Sequence, residues 1–158
     1  MIKQSLAVFL FMACATFAHG EEPSPTPKTF SAHICGFMGE SYQIELHGKA
    51  ISYTTFGPGH SHTRQTTITP TEAQWHEFRQ SLDELNIWQW RKDYPNQGTM
   101  DGTQWSLEID YADHALTTKG DNSYPEAGGK PNGRPEPAKA FRQYLAAVQK
   151  LIGGKAFQ

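Results

Sequence analysis

The sequence predicts an α+β domain built as a tandem ββ(β)α–ββα repeat. Its antiparallel sheet of about four or five strands carries two helices on one face. Three observations carry that expectation. Apolar and polar residues alternate at Tyr42–Leu46, Ile51–Thr55, Trp105–Tyr111 and Leu116–Thr118. Two stretches carry apolar residues at helical spacing, Trp75–Leu85 and Ala138–Ile152. The two sets superpose without a gap at an offset of 63, with nine identities in the 51 pairs from 38–88 onto 101–151. The repeats are set at 38–88 and 101–152, and such self-similarity is the first thing to seek in a chain.

In the first copy Tyr42, Ile44 and Leu46 alternate with Gln43, Glu45 and His47, the pattern of a half-buried strand. Gly48 marks a turn, and Ile51, Tyr53 and Thr55 return as the second arm. Arg64–Ile68 reads as an extra strand. Thr69-Pro70-Thr71-Glu72 reads as a capping box with Thr69 at the N-cap and Pro70 at the first helical position. The helix behind it buries Trp75, Phe78, Leu82 and Leu85, at spacings of 3, 4 and 3. The connector 87–95 is aromatic and is expected to pack across a sheet edge.

In the second copy Trp105, Leu107, Ile109 and Tyr111 share one face, Ala112-Asp113-His114 turns, and Leu116-Thr117-Thr118 returns. Residues 127–133 read as a loop where the first copy has its extra strand. The closing helix buries Ala138, Phe141, Leu145, Val148 and Ile152. It is bounded by Pro135 and Pro137 before and by Gly153-Gly154 after. A pseudo-two-fold arrangement would bury both copies' apolar faces together. The polar residues between the apolar ones predict a sheet covered on one side only.

Residues 1–20 read as a signal peptide. Lys3 supplies the positive start, Leu6–Ala13 the apolar run, and Ala15, Thr16, Ala18 and Gly20 the small residues before cleavage. The run is too short to span a bilayer. A second cleavage reading stands beside it: Phe11-Met12-Ala13-Cys14 has the outline of a lipobox, in which Cys14 is lipidated. Residues 21–30, with Pro23, Pro25 and Pro27, read as an extended tether. A single domain is then expected over 31–154. The protein is therefore expected to be exported, periplasmic or secreted, or else held at a membrane by a lipid on Cys14. Without Cys14, Cys35 is the one remaining thiol, which excludes an internal disulfide.

The 158 residues carry 14 basic and 16 acidic side chains, a formal charge of −2. That balance speaks against a nucleic-acid partner, which requires a basic face.

Several motifs from Thr69 onward form a recognisable layout: Trp75…Phe78…Leu82, Trp88…Trp90…Tyr94, Asp101-Gly102…Trp105, Gly120–Pro125, and a closing Phe141…Leu145 helix. The layout resembles a group of small exported bacterial domains with no established activity, over residues 34 to 153. The resemblance implies export and this fold, and it transfers no catalytic residues.

The offset also superposes two glycine-led loops, 57–62 and 120–125. Loops on a rigid scaffold are where function concentrates, so His60, His62, Asn122 and Tyr124 are the candidate ligand-binding residues. His60 and His62 form a His-x-His pair that, on a strand, would turn both imidazoles to one Zn²⁺ or Cu²⁺. Further ligands would have to come from Asp121, His33 or Cys35. His33, Cys35 and Met38 form a soft-ligand set suited to Cu(I). Glu108 and Asp110 read as a solvated pair on the exposed face. No phosphate loop and no nucleophile elbow is present, and no cofactor is expected.

Three functions follow in order. The first is a non-catalytic exported binding module for a protein or glycan, using the loops or the open sheet face. The second is a periplasmic metal-binding protein using His60 and His62. The third is a small hydrolase with an unrecognised site.

Overall fold

A computed structural model of the chain describes residues 24–36, 39–96, 98, 102–134 and 136–158, with the His60 side chain left out. The signal segment 1–20, Cys14, Met38, Asp101 and Pro135 lie outside the described residues. The fold is α+β, and its sheet is larger than the sequence suggests. Seven strands run β1 Thr29–Gly36, β2 Ser41–His47, β3 Ala50–Phe56, β4 Thr63–Ile68, β5 Asp93–Tyr94, β6 Thr103–Asp110 and β7 Ala115–Asp121. Their spatial order is β4-β3-β2-β1-β6-β7-β5. All pairs are antiparallel except β5 with β7. No helix of the described residues is long and apolar enough to cross a membrane.

The two extra strands change the architecture. Thr29 and Phe30, read as tether, open β1, the central strand of the sheet. Phe30, Ala32 and Ile34 point to the core, and Ser31, His33 and Cys35 to the opposite face. β1 holds β2 on one side and β6 on the other. At the far edge the aromatic connector contributes β5, which lies parallel to β7 through Asp93↔Lys119 and Tyr94↔Gly120.

This topology excludes the expected pseudo-two-fold. β2 and β6 are both antiparallel to β1, so they run in the same direction. Their hairpins extend from it in opposite directions, yet both halves bury the same sheet face. Equal strand direction, equal face and opposite handedness of growth describe a reflection, which no rotation of an L-peptide unit produces. What the constant offset does capture is register: Gln43 and Ser106 flank His33, and Glu45 and Glu108 flank Ser31.

Helix α1 spans Glu72–Glu84 and α2 spans Lys139–Leu151. The α1 cap sits two residues later than the sequence suggests. Thr71 is the N-cap; its hydroxyl accepts from the Gln74 amide, and the Gln74 side chain accepts from the Thr71 amide. Thr71-x-x-Gln74 also satisfies the box rule, and Pro70 stands outside the helix with its ring buried. Trp75, Phe78 and Leu82 are buried as expected, and Leu85 packs partly exposed at the C-cap. The α2 stripe is buried in full, joined by Ala140, Tyr144 and Leu151.

Phe141 is fully buried between Trp105 at 4.7 Å and Tyr124 at 4.9 Å, with Tyr144 and Trp90 beyond. Past α2 the chain turns back over the sheet. Tyr53 donates to the Ala156 carbonyl, and Phe157, 1% exposed, packs on Tyr42.

One polar cluster ties α1 to the β6–β7 turn. The Arg79 guanidinium lies over the rings of Trp88 and Tyr111, at 5.1 and 4.5 Å. It donates two bonds to Asp113 and also reaches Asp83. The Asp113 hydrogen bonds hold Arg79 above its ordinary range, and Arg79 holds the Asp113 carboxyl well below its own. The Trp88 indole N–H caps the same Asp83. Arg79 thus bonds carboxylates of two separate elements, so we read the cluster as a latch.

Candidate binding face

Among the described residues no element covers the sheet face away from the helices, and that face is polar. Cross-strand pairing arranges its side chains in rows. One row crosses five strands: Gln43, His33, Ser106, Lys119 and Asp93. The next holds Cys35, Gln104 and Asp121. On the other side run Thr67, Ser52, Glu45, Ser31, Glu108 and Thr117.

The first two rows border an open depression of about 380 Å³, lined among others by His33, Asp93, Gln104, Ser106, Lys119 and Asp121. That volume lies within the range of small-ligand sites. Its aromatic neighbours turn inward: Tyr94 is fully buried and Trp105 is 3% exposed. The floor therefore offers hydrogen-bonding groups rather than a stacking surface. Asp93 and Asp121 accept, Lys119 donates, and Ser106 and Gln104 do both.

Burial lowers the pKa of His33 from the ordinary histidine value, so at neutral pH its ring is uncharged, with one donor and one acceptor nitrogen. The folded pKa lies below the unfolded one. Folding stability from this group is then complete above the unfolded value and falls as pH drops through it. His33→Gln should flatten that part of the stability-against-pH profile between about pH 7 and pH 5, measured by urea unfolding across the interval. An unchanged slope would remove His33 as its source.

The two candidate loops leave the sheet at the same end, because β3 and β7 run in the same direction. Three strands stand between them, a separation of roughly 19 Å at ordinary strand spacing. They therefore share an end without meeting. Loop 57–62 holds a 3₁₀ turn, Pro58–His60, so the His-x-His pair does not lie on a strand. His62 is exposed, with its carbonyl accepting from the Gly57 amide and its ring against Gly57. Among the described residues no three groups of histidine, cysteine, aspartate or glutamate gather within reach of one metal ion. Cys35 is a free thiol, half-buried on the open face two residues from His33.

Loop 120–125 rims the depression, with Asp121 lining it and Asn122 and Tyr124 turned to the protein. Asn122 takes a left-handed backbone, φ 47°, and is 8% exposed. Its amide donates to the Thr103 carbonyl and its side-chain oxygen accepts from the Thr103 amide. It thereby extends the β6–β7 ladder by one imitation residue. Tyr124 is 1% exposed and packs on Phe141. Both residues fix the loop from inside and leave little surface for an outside ligand.

The sequence names Asp121 and His33 only as accessory metal ligands. Its exposed-face pair Glu108 and Asp110 shares a strand with Ser106, but the sequence singles out none of Lys119, Gln104 or Asp93 beside them. The signal was present in the alternation of β6 and β7, which assigns Gln104, Ser106 and Lys119 to one face. Neither a family model nor a curated relative matches this sequence.

Proposed function

We propose that this protein is an exported, non-catalytic binding module that holds a hydroxyl-rich ligand, a glycan, on its uncovered sheet face. One observation carries the reading: the open depression at His33, Ser106, Gln104, Lys119, Asp93 and Asp121 combines donors and acceptors on rigid strands without an aromatic platform. Sites on strands are held more exactly in place than sites on loops. Export is supported by the signal-like start at Lys3 and Leu6–Ala13 and by the resemblance to small exported bacterial domains.

The test is an oligosaccharide array probed with the wild-type protein and with Gln104→Ala, Ser106→Ala and Lys119→Ala, all three exposed positions. At least one glycan class should be retained by the wild type. At least one variant should lose tenfold or more in affinity, about 1.4 kcal/mol. A change on the helix side, Glu84→Ala, should leave retention intact. Retention by none, or equal retention by all, would overturn the proposal.

A further inference from the structure

The two edges of the sheet are finished differently. β5 is two residues long, and its Tyr94 hydroxyl accepts from the Arg91 amide and donates to the Gly129 carbonyl. That edge is short and overlaid by loop. β4 is six residues long and pairs with β3 in an unbroken register from Ile51↔Ile68 to Phe56↔Thr63. Of the devices that blunt an edge it has no proline and no bulge, and a single charged side chain, Arg64. Among the described residues, no main-chain hydrogen bond outside the β3 ladder reaches Thr63–Ile68.

We propose that β4 pairs antiparallel with β4 of a second copy, about a two-fold axis perpendicular to the sheet. Such an axis keeps both open faces on one side, so residues pair only with residues of the same face. Centred on Thr66, it sets Thr66 against Thr66, Gln65 against Thr67 and Arg64 against Ile68. Centred on Gln65, it sets Thr63 against Thr67 and Arg64 against Thr66. In both registers the one charge of the strand, Arg64, faces an uncharged residue. The hydroxyl and amide pairs are of the kind that stabilise neighbouring strands. Half-buried Ile68 and Thr66 also gain cover on the helix side. The product is a continuous sheet that carries two depressions on the same side.

A strand-edge contact is smaller than a standard interface, so the dimer should be weak, at tens of micromolar or above. Sedimentation equilibrium from about 10 µM to about 1 mM should show the mass rise from monomer toward dimer. Gln65→Lys with Thr67→Lys places like charges opposite each other in both registers and should weaken association at least tenfold. Hydrogen exchange on the wild type needs no variant: alternate amides of Thr63–Ile68 should slow with rising concentration, and those of β5 should not. A monomer at every concentration, or a dimer that the double variant leaves intact, would overturn the proposal. So would β4 amides that slow only on addition of a synthetic extended peptide, since the edge would then serve another partner.

Discussion

Phe141→Ala is expected to cost the fold about 3–5 kcal/mol, read as a fall in urea midpoint with little change in slope. Phe141 has no exposed surface, and its ring is walled by Trp105, Tyr124, Tyr144 and Trp90. One wall, Trp105, is pinned directly and is backed by a second pinned ring. Trp105 donates its indole N–H to the Ser123 carbonyl, and Tyr94 beside it bonds Gly129. They cannot collapse into the vacated space without breaking those bonds, so the cavity term should be retained. A loss under about 1 kcal/mol would mean that the cluster repacks. Because domains are stable by only about 5–15 kcal/mol, the variant should sit near the limit of folding.

The second large effect is at Gly129, and its neighbour supplies the control. Gly128 and Gly129 have nearly equal backbone angles, φ 77° and 75°. An added Cβ at Gly128 meets open space, but at Gly129 it would lie 2.3 Å from the Gln89 carbonyl oxygen. Gly128→Ala should cost about 1–2 kcal/mol, the left-handed penalty alone. Gly129→Ala carries the same penalty and must also push apart two main-chain segments, for a total of at least about 3 kcal/mol. Urea unfolding of the pair measures the difference directly. Equal losses would show that the loop 126–131 yields without disturbing the Trp90 turn.

Much of the fold could be read from alternation and helical spacing. β2, β3, β6 and β7 stand where apolar and polar residues alternate, and both helices bury the stripes that their spacing implies. β1 escaped because its start follows three spaced prolines, which made Thr29 and Phe30 look like tether. The alternation Phe30, Ala32, Ile34 was nevertheless there to be read. β5 escaped because two residues carry no periodicity; its place is set by what Tyr94 bonds. The site was less legible. Glycines and polar residues in 120–125 suggested a ligand loop, yet Asn122 and Tyr124 spend their groups on the protein itself. Local sequence cannot distinguish a polar group that faces water from one that bonds a strand end. Lys119 and Asp93 became neighbours only through the parallel pairing of β5 with β7, a contact between distant segments.

The position of β1 has a mechanical consequence. Its ladders on both sides are antiparallel, with hydrogen bonds perpendicular to the strand. A pull on the chain before Thr29, directed along β1, would load both ladders in shear at once instead of opening them one bond at a time. The partners of β1 also lie far apart in the chain, Ser31 facing Glu45 on one side and Glu108 on the other. A chain emerging N-terminus first can form the β1–β2 pair early, but it gains full resistance to such a pull only after β6 has followed.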